Sequence, residues 1–344
     1  MAMSRSGNRS VTGGQVSSAA SVADVAAVKR VLLAAPRGYC AGVERAVEAV
    51  ERALAKHGAP VYVRKQIVHN LHVVRDLEAK GAIFVQEVDE VPEGAVTVLS
   101  AHGSPPTVYD EASRRQLELI DATCPLVTKV HVEARRFADE DRTIVLIGHA
   151  GHEEVEGTNG QAPDRTVLVQ DLADAGSVEL PAGARLAYLT QTTLSVDETG
   201  EIVEALRARY PQLEGPPRED ICYATQNRQD AVKELAPQAD VVLVIGSKNS
   251  SNSNRLAEVA VERGTPAYLV DDESEVDPSW LEGATTVGLT SGASAPEHLV
   301  DAMLQRLATL GYERVELIRV AEEGVRFSLP AGVRQPPGPV SSTS

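Results

Sequence analysis

The sequence predicts an α/β protein built from three similar units, with mainly parallel sheets arranged around a pseudo-threefold axis. Three observations lead there. Short apolar runs rich in Val, Ile and Leu alternate with helix-period segments, the pattern of parallel sheets whose crossovers are helices. Each of only three cysteines, Cys40, Cys124 and Cys222, stands where a strand-like run gives way to a helix-period segment. Finally, the cysteines lie 84 and 98 residues apart, while the polar loops carrying His69, His152 and Ser251 lie 83 and 99 apart. Matching offsets of this kind mean that one unit is repeated.

Taken in order, the first unit (31–123) opens with an apolar strand over 31–35, then Cys40 and a helix over 43–57 that ends before Gly58. A strand at 60–64 leads into a polar loop with His69 and Asn70, followed by a helix over 72–80 and a strand at 82–85. A strand at 96–100 meets the loop Ala101-His102-Gly103-Ser104, and a helix over 108–117 precedes the run that reaches Cys124. The second unit (124–220) repeats the order. It has a helix, a strand at 143–147, the loop Gly148-His149-Ala150-Gly151-His152-Glu153-Glu154, strands near Val167 and at 186–189, the loop Thr190-Gln191-Thr192-Thr193 and a helix over 196–210. A weaker strand-like run, 219–221, reaches Cys222. The third unit (221–328) has strands at 241–245, 267–270 and 286–289, loops at Gly246 to Asn252 and Thr290 to Ser294, helices over 254–263 and up to Leu310, and a C-terminal strand.

Composition narrows the function. With 344 residues, 43% hydrophobic and 24% charged, the chain is long enough for two or three domains. Its formal charge of −16 argues against nonspecific nucleic-acid or anionic-membrane binding, so a phosphorylated ligand has to be held by local donors. Three cysteines make no disulfide scaffold and suit a reducing compartment, which points to the cytoplasm. Residues 1–30, rich in Ser, Gly, Ala and Val, lack the span of a transmembrane helix and read as a disordered leader. Residues 329–344, with Pro330, Pro336, Pro337 and Pro339, read as a disordered tail.

In parallel α/β sheets ligands bind beyond the carboxyl ends of the strands, where all three cysteine turns and all the polar loops of this chain fall. Structural zinc takes four ligands, and catalytic zinc with three protein ligands is usually His-rich. Three cysteines with no fourth in the chain suit a cubane iron–sulfur cluster with one open iron, able to act as a Lewis acid toward a substrate oxygen. The loops, crowded with hydroxyls, amides and imidazoles and opening into helices, suit phosphate. Ser250-Ser251-Asn252 also reads as an ordinary helix cap. Of eight histidines, His57, His72, His131 and His298 fall in or beside helices and read as structural or surface groups. His149 stands next to the glycine of its loop, and His69, His102 and His152 remain as functional candidates.

The segments Gly38-Tyr39-Cys40-Ala41-Gly42-Val43, Ile67-Val68-His69-Asn70, Ser100-Ala101-His102-Gly103 and Asp121-Ala122-Thr123-Cys124-Pro125 occur in this order. They are followed by Gly151-His152-Glu153-Glu154-Val155-Glu156-Gly157, Thr190-Gln191-Thr192-Thr193-Leu194-Ser195, Ser250-Ser251-Asn252-Ser253 and Ser291-Gly292-Ala293-Ser294. Together this set resembles the motifs of the 4-hydroxy-3-methylbut-2-enyl diphosphate reductases, iron–sulfur enzymes that end the methylerythritol phosphate route to isoprenoids. The resemblance spans about residues 31–320. It implies a [4Fe–4S] cluster on Cys40, Cys124 and Cys222, with the open iron taking the substrate hydroxyl. It implies diphosphate binding by His69, His102, His152, Ser250, Ser251, Asn252 and Ser294, with Thr192 near the hydroxyl and Glu154 as proton source. It further implies two-electron removal of the C4 hydroxyl to give isopentenyl and dimethylallyl diphosphates, with electrons from a reduced ferredoxin- or flavodoxin-type donor.

Two readings from other classes stand beside this one. A metal-dependent hydrolase would use His149, His152 and Glu154, although these lack the helix-borne His-Glu-x-x-His spacing. A noncatalytic phosphometabolite-binding protein would need the loops and not the cysteines.

Overall fold

The computed structural model describes residues 28–334. The expected leader up to residue 27 and the last ten residues of the expected tail lie outside the described residues. Among the described residues, twelve strands form three sheets in which every pairing is parallel.

The strands are β1 (Arg30–Ala35), β2 (Val61–Arg64), β3 (Ala82–Val85), β4 (Val96–Leu99), β5 (Glu118–Asp121) and β6 (Arg142–Ile147). They continue with β7 (Thr166–Val169), β8 (Arg185–Thr190), β9 (Val241–Ile245), β10 (Ala267–Val270), β11 (Thr286–Ser291) and β12 (Arg314–Arg319). The helices are α1 (Ala41–His57), α2 (Leu71–Ala79), α3 (Pro106–Arg114), α4 (Pro125–Asp139) and α5 (Glu153–Asn159). They are followed by α6 (Leu172–Ser177), α7 (Val196–Arg209), α8 (Tyr223–Leu235), α9 (Ser251–Glu262) and α10 (Glu297–Thr309). None of the described helices is long and apolar enough to cross a membrane.

The sheet orders are β3-β2-β4-β5, β7-β6-β8 and β10-β9-β11-β1-β12. β6, β9 and β11 are buried along their whole length, as expected of strands covered by helices on both faces. β12, exposed except at the half-buried Glu316 and Ile318, forms one edge of its sheet. Helices present apolar stripes to the sheets: in α1, Val43, Ala46, Ala49, Val50 and Ala53 are all buried.

One strand corrects the expected organisation. The repeat pattern places residues 31–35 in the first unit, but β1 lies in the third sheet, between β11 and β12, with Leu32 opposite Gly288 and Glu316. β1 occupies in that sheet the place that β5 occupies in the first, so the N-terminal strand and the last sheet are joined directly. The consequence is visible in the backbone. Cys124 N donates to Ala101 O, Cys222 N to Thr192 O and Cys40 N to Ala293 O, at 2.9, 3.0 and 3.1 Å. Each cysteine turn is thus tied to the loop after the third strand of the preceding sheet, and the helix that follows it crosses to the next.

Other differences are local. The run 219–221 is not a strand; instead Lys129 binds the carbonyls of Arg218 and Glu219 and the Asp220 carboxylate, and Asp220 accepts from Thr190 N at 3.0 Å. Pro216 and Pro217 just upstream cannot donate to a ladder. Helix α5 has no clear sequence signal, because its seven residues hold Gly157 and three acids and carry no helical stripe. α9 begins at Ser251 rather than at residue 254, because Ser250 caps it. The start of the expected tail is ordered: Val333 is 5% exposed and packs into the core of the first sheet, while Lys56 and Arg45 bind the carbonyls of Gly332 and Ser328. An apolar side chain that finds a groove outweighs the poor packing potential of its proline-rich neighbours.

Candidate functional site

The three cysteines occupy equivalent positions, each as the residue that precedes a long helix: Cys40 before α1, Cys124 before α4 and Cys222 before α8. Helix N-termini carry partial positive charge, which favours thiolates. All three cysteines line one cavity. Without a bound cation, burial pushes the Cys124 thiol up to about 12 and the Cys222 thiol up to about 11, with Cys40 adding to both shifts. Three half-buried thiols drawn together in this way are suited to a cation that would hold them deprotonated. Gly42 marks the closeness of the approach: a Cβ there would lie 2.7 Å from Cys124 Sγ and 3.8 Å from Cys40 Sγ. Thr225 adds a hydroxyl 3.2 Å from Cys222 Sγ.

The remaining expected residues line the same cavity: His69, His102, His152, Glu154, Thr192, Ser250, Ser251, Asn252 and Ser294. The His69 and His102 rings stack at 4.0 Å, and His152 meets them edge-on at 5.5 and 6.1 Å. His152 Nδ1 also accepts from Glu154 N at 3.2 Å, capping α5. Burial and the two neighbouring imidazoles hold His152 down to about 3. Ser250 caps α9 through Ser253 N, so cap chemistry and cavity lining coincide at that residue. The backbone N–H of Ala293 donates to Asn252 Oδ1 at 2.8 Å, and the buried Nδ2 of the same amide has no partner among the described residues. That orphaned donor beside a helix N-terminus suits an anionic ligand. Ser294 donates to His69 O at 2.9 Å, joining the third sheet's loop to the first's.

Glu154 is 5% exposed. Its Oε2 accepts from Thr192 N at 2.8 Å and its Oε1 from Thr192 Oγ1 at 3.1 Å. Burial raises its carboxyl above the usual range, against these hydrogen bonds. A buried carboxyl in this state is equipped to give a proton.

The hydrolase set does not assemble. His149 Nε2 faces Arg255 at 3.0 Å, His152 is committed to its cap, and Glu154 is held by Thr192. Glu153, by contrast, is a site residue that the sequence did not single out. Its Oε2 lies 2.9 Å from His102 Nδ1 and accepts from Ser100 Oγ at 3.2 Å, and its Oε1 lies 3.5 Å from His69 Nε2. Two adjacent glutamates after His152 were a signal, but only the backbone direction at the start of α5 separates their destinations. His72, read as structural, pairs with Asp272 at 3.2 Å.

Residues 31–308 match the family described as LytB protein. The chain belongs to the LytB family. Among the relatives of this LytB chain, a 4-hydroxy-3-methylbut-2-enyl diphosphate reductase of Mycolicibacterium paratuberculosis is 62% identical over 307 residues, covering 89% of this chain and 92% of that one. 4-hydroxy-3-methylbut-2-enyl diphosphate reductase 1 of Mycobacterium bovis is 59% identical over 327 residues, covering 95% and 97%. The solved structure of the E-1-hydroxy-2-methyl-but-2-enyl-4-diphosphate reductase from Plasmodium falciparum superimposes with a TM-score of 0.85 at 38% identity, covering 89% of the LytB chain and 96% of its own.

Proposed function

We propose that this enzyme reduces (E)-4-hydroxy-3-methylbut-2-enyl diphosphate to isopentenyl and dimethylallyl diphosphates, ending the methylerythritol phosphate route. Relatives of about 60% identity named for this reaction support the activity. The observation that carries the chemistry is the single cavity that joins three helix-capping cysteines to Glu154 and to a set of imidazole, hydroxyl and amide donors.

Cys40, Cys124 and Cys222 would hold a [4Fe–4S] cluster. Such a cluster supplies the two electrons singly and, lacking a fourth cysteine, an open iron acting as a Lewis acid toward the substrate alcohol. The rest falls to side chains. His69, His102, His152, Ser250, Ser251, Asn252 and Ser294 bind the diphosphate, and its fixed position turns binding into orientation of the allyl group. Thr192 sits beside the substrate hydroxyl. Hydroxide is a poor leaving group, so Glu154, whose carboxyl burial raises above the usual range, delivers the proton with which the C4 oxygen departs as water. A second proton completes the new C–H bond, balancing the two electrons. Those electrons come from a reduced ferredoxin- or flavodoxin-type protein.

The test is anaerobic purification followed by a reductase assay. A brown protein holding iron and sulfide should convert the allylic diphosphate to both products with a low-potential reductant. Iron-loaded protein that leaves the substrate unchanged would overturn the assignment.

A further inference from the structure

Glu153 has no task in the reaction as described, yet its carboxylate sits among groups that take part. It opens α5 beside Glu154, and its side chain is 15% exposed. It faces His102 Nδ1 at 2.9 Å, Ser100 Oγ at 3.2 Å and His69 Nε2 at 3.5 Å. A carboxylate placed against two imidazoles that bind diphosphate would weaken that binding by repulsion unless it serves the imidazoles themselves. The tautomer supplies the reason. With Nδ1–H donated to Glu153, a neutral His102 would turn a bare Nε2 lone pair toward an anion, whereas an imidazolium turns an N–H.

We propose that Glu153 is a positioning residue that holds His102 as an imidazolium, Nδ1–H bound to the carboxylate and Nε2–H offered to the diphosphate. The ligand then binds without taking up a proton at this site. The proposal rests on the reading of the cavity as a diphosphate site.

The groups facing His102 are Glu153 and Glu154 of α5, His69 stacked on it from the loop after β2, and His152 edge-on from the loop after β6. Burial opposes charge on His102, but the hydrogen bond and attraction of Glu153 prevail and raise it. His69 is lowered by burial and by His102, despite Glu153. For Glu153 itself burial acts upward, but its bonds to His102 and His69 hold it well below the usual carboxylate range. One positive charge is therefore placed among three histidines, with its counter-ion already in position. This is the second-partner arrangement by which histidine orientation and protonation are commonly set.

The experiment uses oxidised holoenzyme without reductant, so no turnover occurs, and inorganic diphosphate as the probe. Calorimetry at about pH 8 in buffers of different ionisation enthalpy reads the protons taken up on binding. Glu153→Gln should take up about one more proton than the unsubstituted enzyme, with binding about tenfold weaker. That gap should close as the pH falls below about 6, where imidazole is charged without help. Glu153→Asp should recover part of the difference, and serves if the Gln variant loses its cluster. In a His102→Gln background, Glu153→Gln should change proton uptake no further. Equal proton uptake by Glu153→Gln and the unsubstituted enzyme would overturn the proposal while leaving the diphosphate reading in place. Failure of inorganic diphosphate to bind the unsubstituted enzyme would remove that reading, and the role of Glu153 with it.

Discussion

Glu154 and Glu153 are neighbours in sequence with opposite electrostatics. Glu154 meets burial and a neutral Thr192, and its carboxyl is raised; Glu153 meets two imidazoles, and its carboxyl is lowered. Pairs of acids pushed apart in this way divide the work of a site. Glu154→Gln should keep the cluster spectrum and substrate binding but lose about 10² to 10⁴ in turnover, measured in single-turnover assays of pre-reduced enzyme. Because the folded carboxyl is raised, its acid form persists above the ordinary carboxylate range, and turnover should fall as the pH rises through the raised value. An alkaline limb unchanged in Glu154→Gln would assign it to another group. Gly42 makes a second prediction. Alanine there places a Cβ 2.7 Å from Cys124 Sγ, so Gly42→Ala should lower iron content per chain while circular dichroism shows a folded protein. Full iron loading would mean that the helix can shift at no cost to the site.

At the scale of elements, the N-terminus of α9 and the middle of α4 carry separate functions. Asn252 uses Oδ1 for Ala293 N, and its Nδ2 has no partner among the described residues. Asn252→Asp keeps the acceptor but replaces the donor with a charge, and should weaken diphosphate binding by about 1.5 to 3 kcal/mol, the worth of a charge-assisted hydrogen bond. Unchanged affinity by calorimetry would place the diphosphate elsewhere. In α4, His131 is wedged between the loop after β4 and α5: Cβ atoms at Gly103 and Gly157 would lie 2.6 and 3.1 Å from its ring. Burial, then Arg135, lowers it to about 4. The unfolded chain, titrating near an ordinary pKa of about 6.5, binds more protons in between. Stability should therefore be fully present above about pH 6.5 and be lost as the pH falls toward about 4, by about 3 kcal/mol. His131→Gln should flatten that part of the denaturation profile, and an unaltered slope would assign it to other groups.

The whole molecule is a ring of three sheets whose closure depends on its ends. β1 carries the chain into Cys40 while sitting in the third sheet, and residues 329–334 return to the first sheet's core. Truncation after residue 328 removes the burial of Val333 and Leu329 and the bond from Lys56 to Gly332 O. It should cost about 2 to 4 kcal/mol at ordinary transfer values, seen as a lower Tm with cluster and activity intact. A Tm equal to that of the full chain would show that this segment contributes nothing to the fold.

The sequence by itself determined the alternation of strands and helices, the threefold repeat and the cysteines that end at one cavity. These depend on local pattern: apolar runs, helical period, and the tendency of strand-to-helix turns to gather at one end of a parallel sheet. Only the tertiary structure decided that β1 belongs to the third sheet, because a buried apolar strand of six residues fits any parallel neighbour and pairing between distant segments leaves no local mark. Only the fold separated Glu153 from Glu154, since adjacent side chains at a helix start leave the backbone in different directions and meet different partners. The sites were legible because their residue types are costly anywhere else: thiols, imidazoles and amides at the ends of buried strands need partners. The packing of Val333 was not, because an apolar residue in a proline-rich stretch is common where it does nothing.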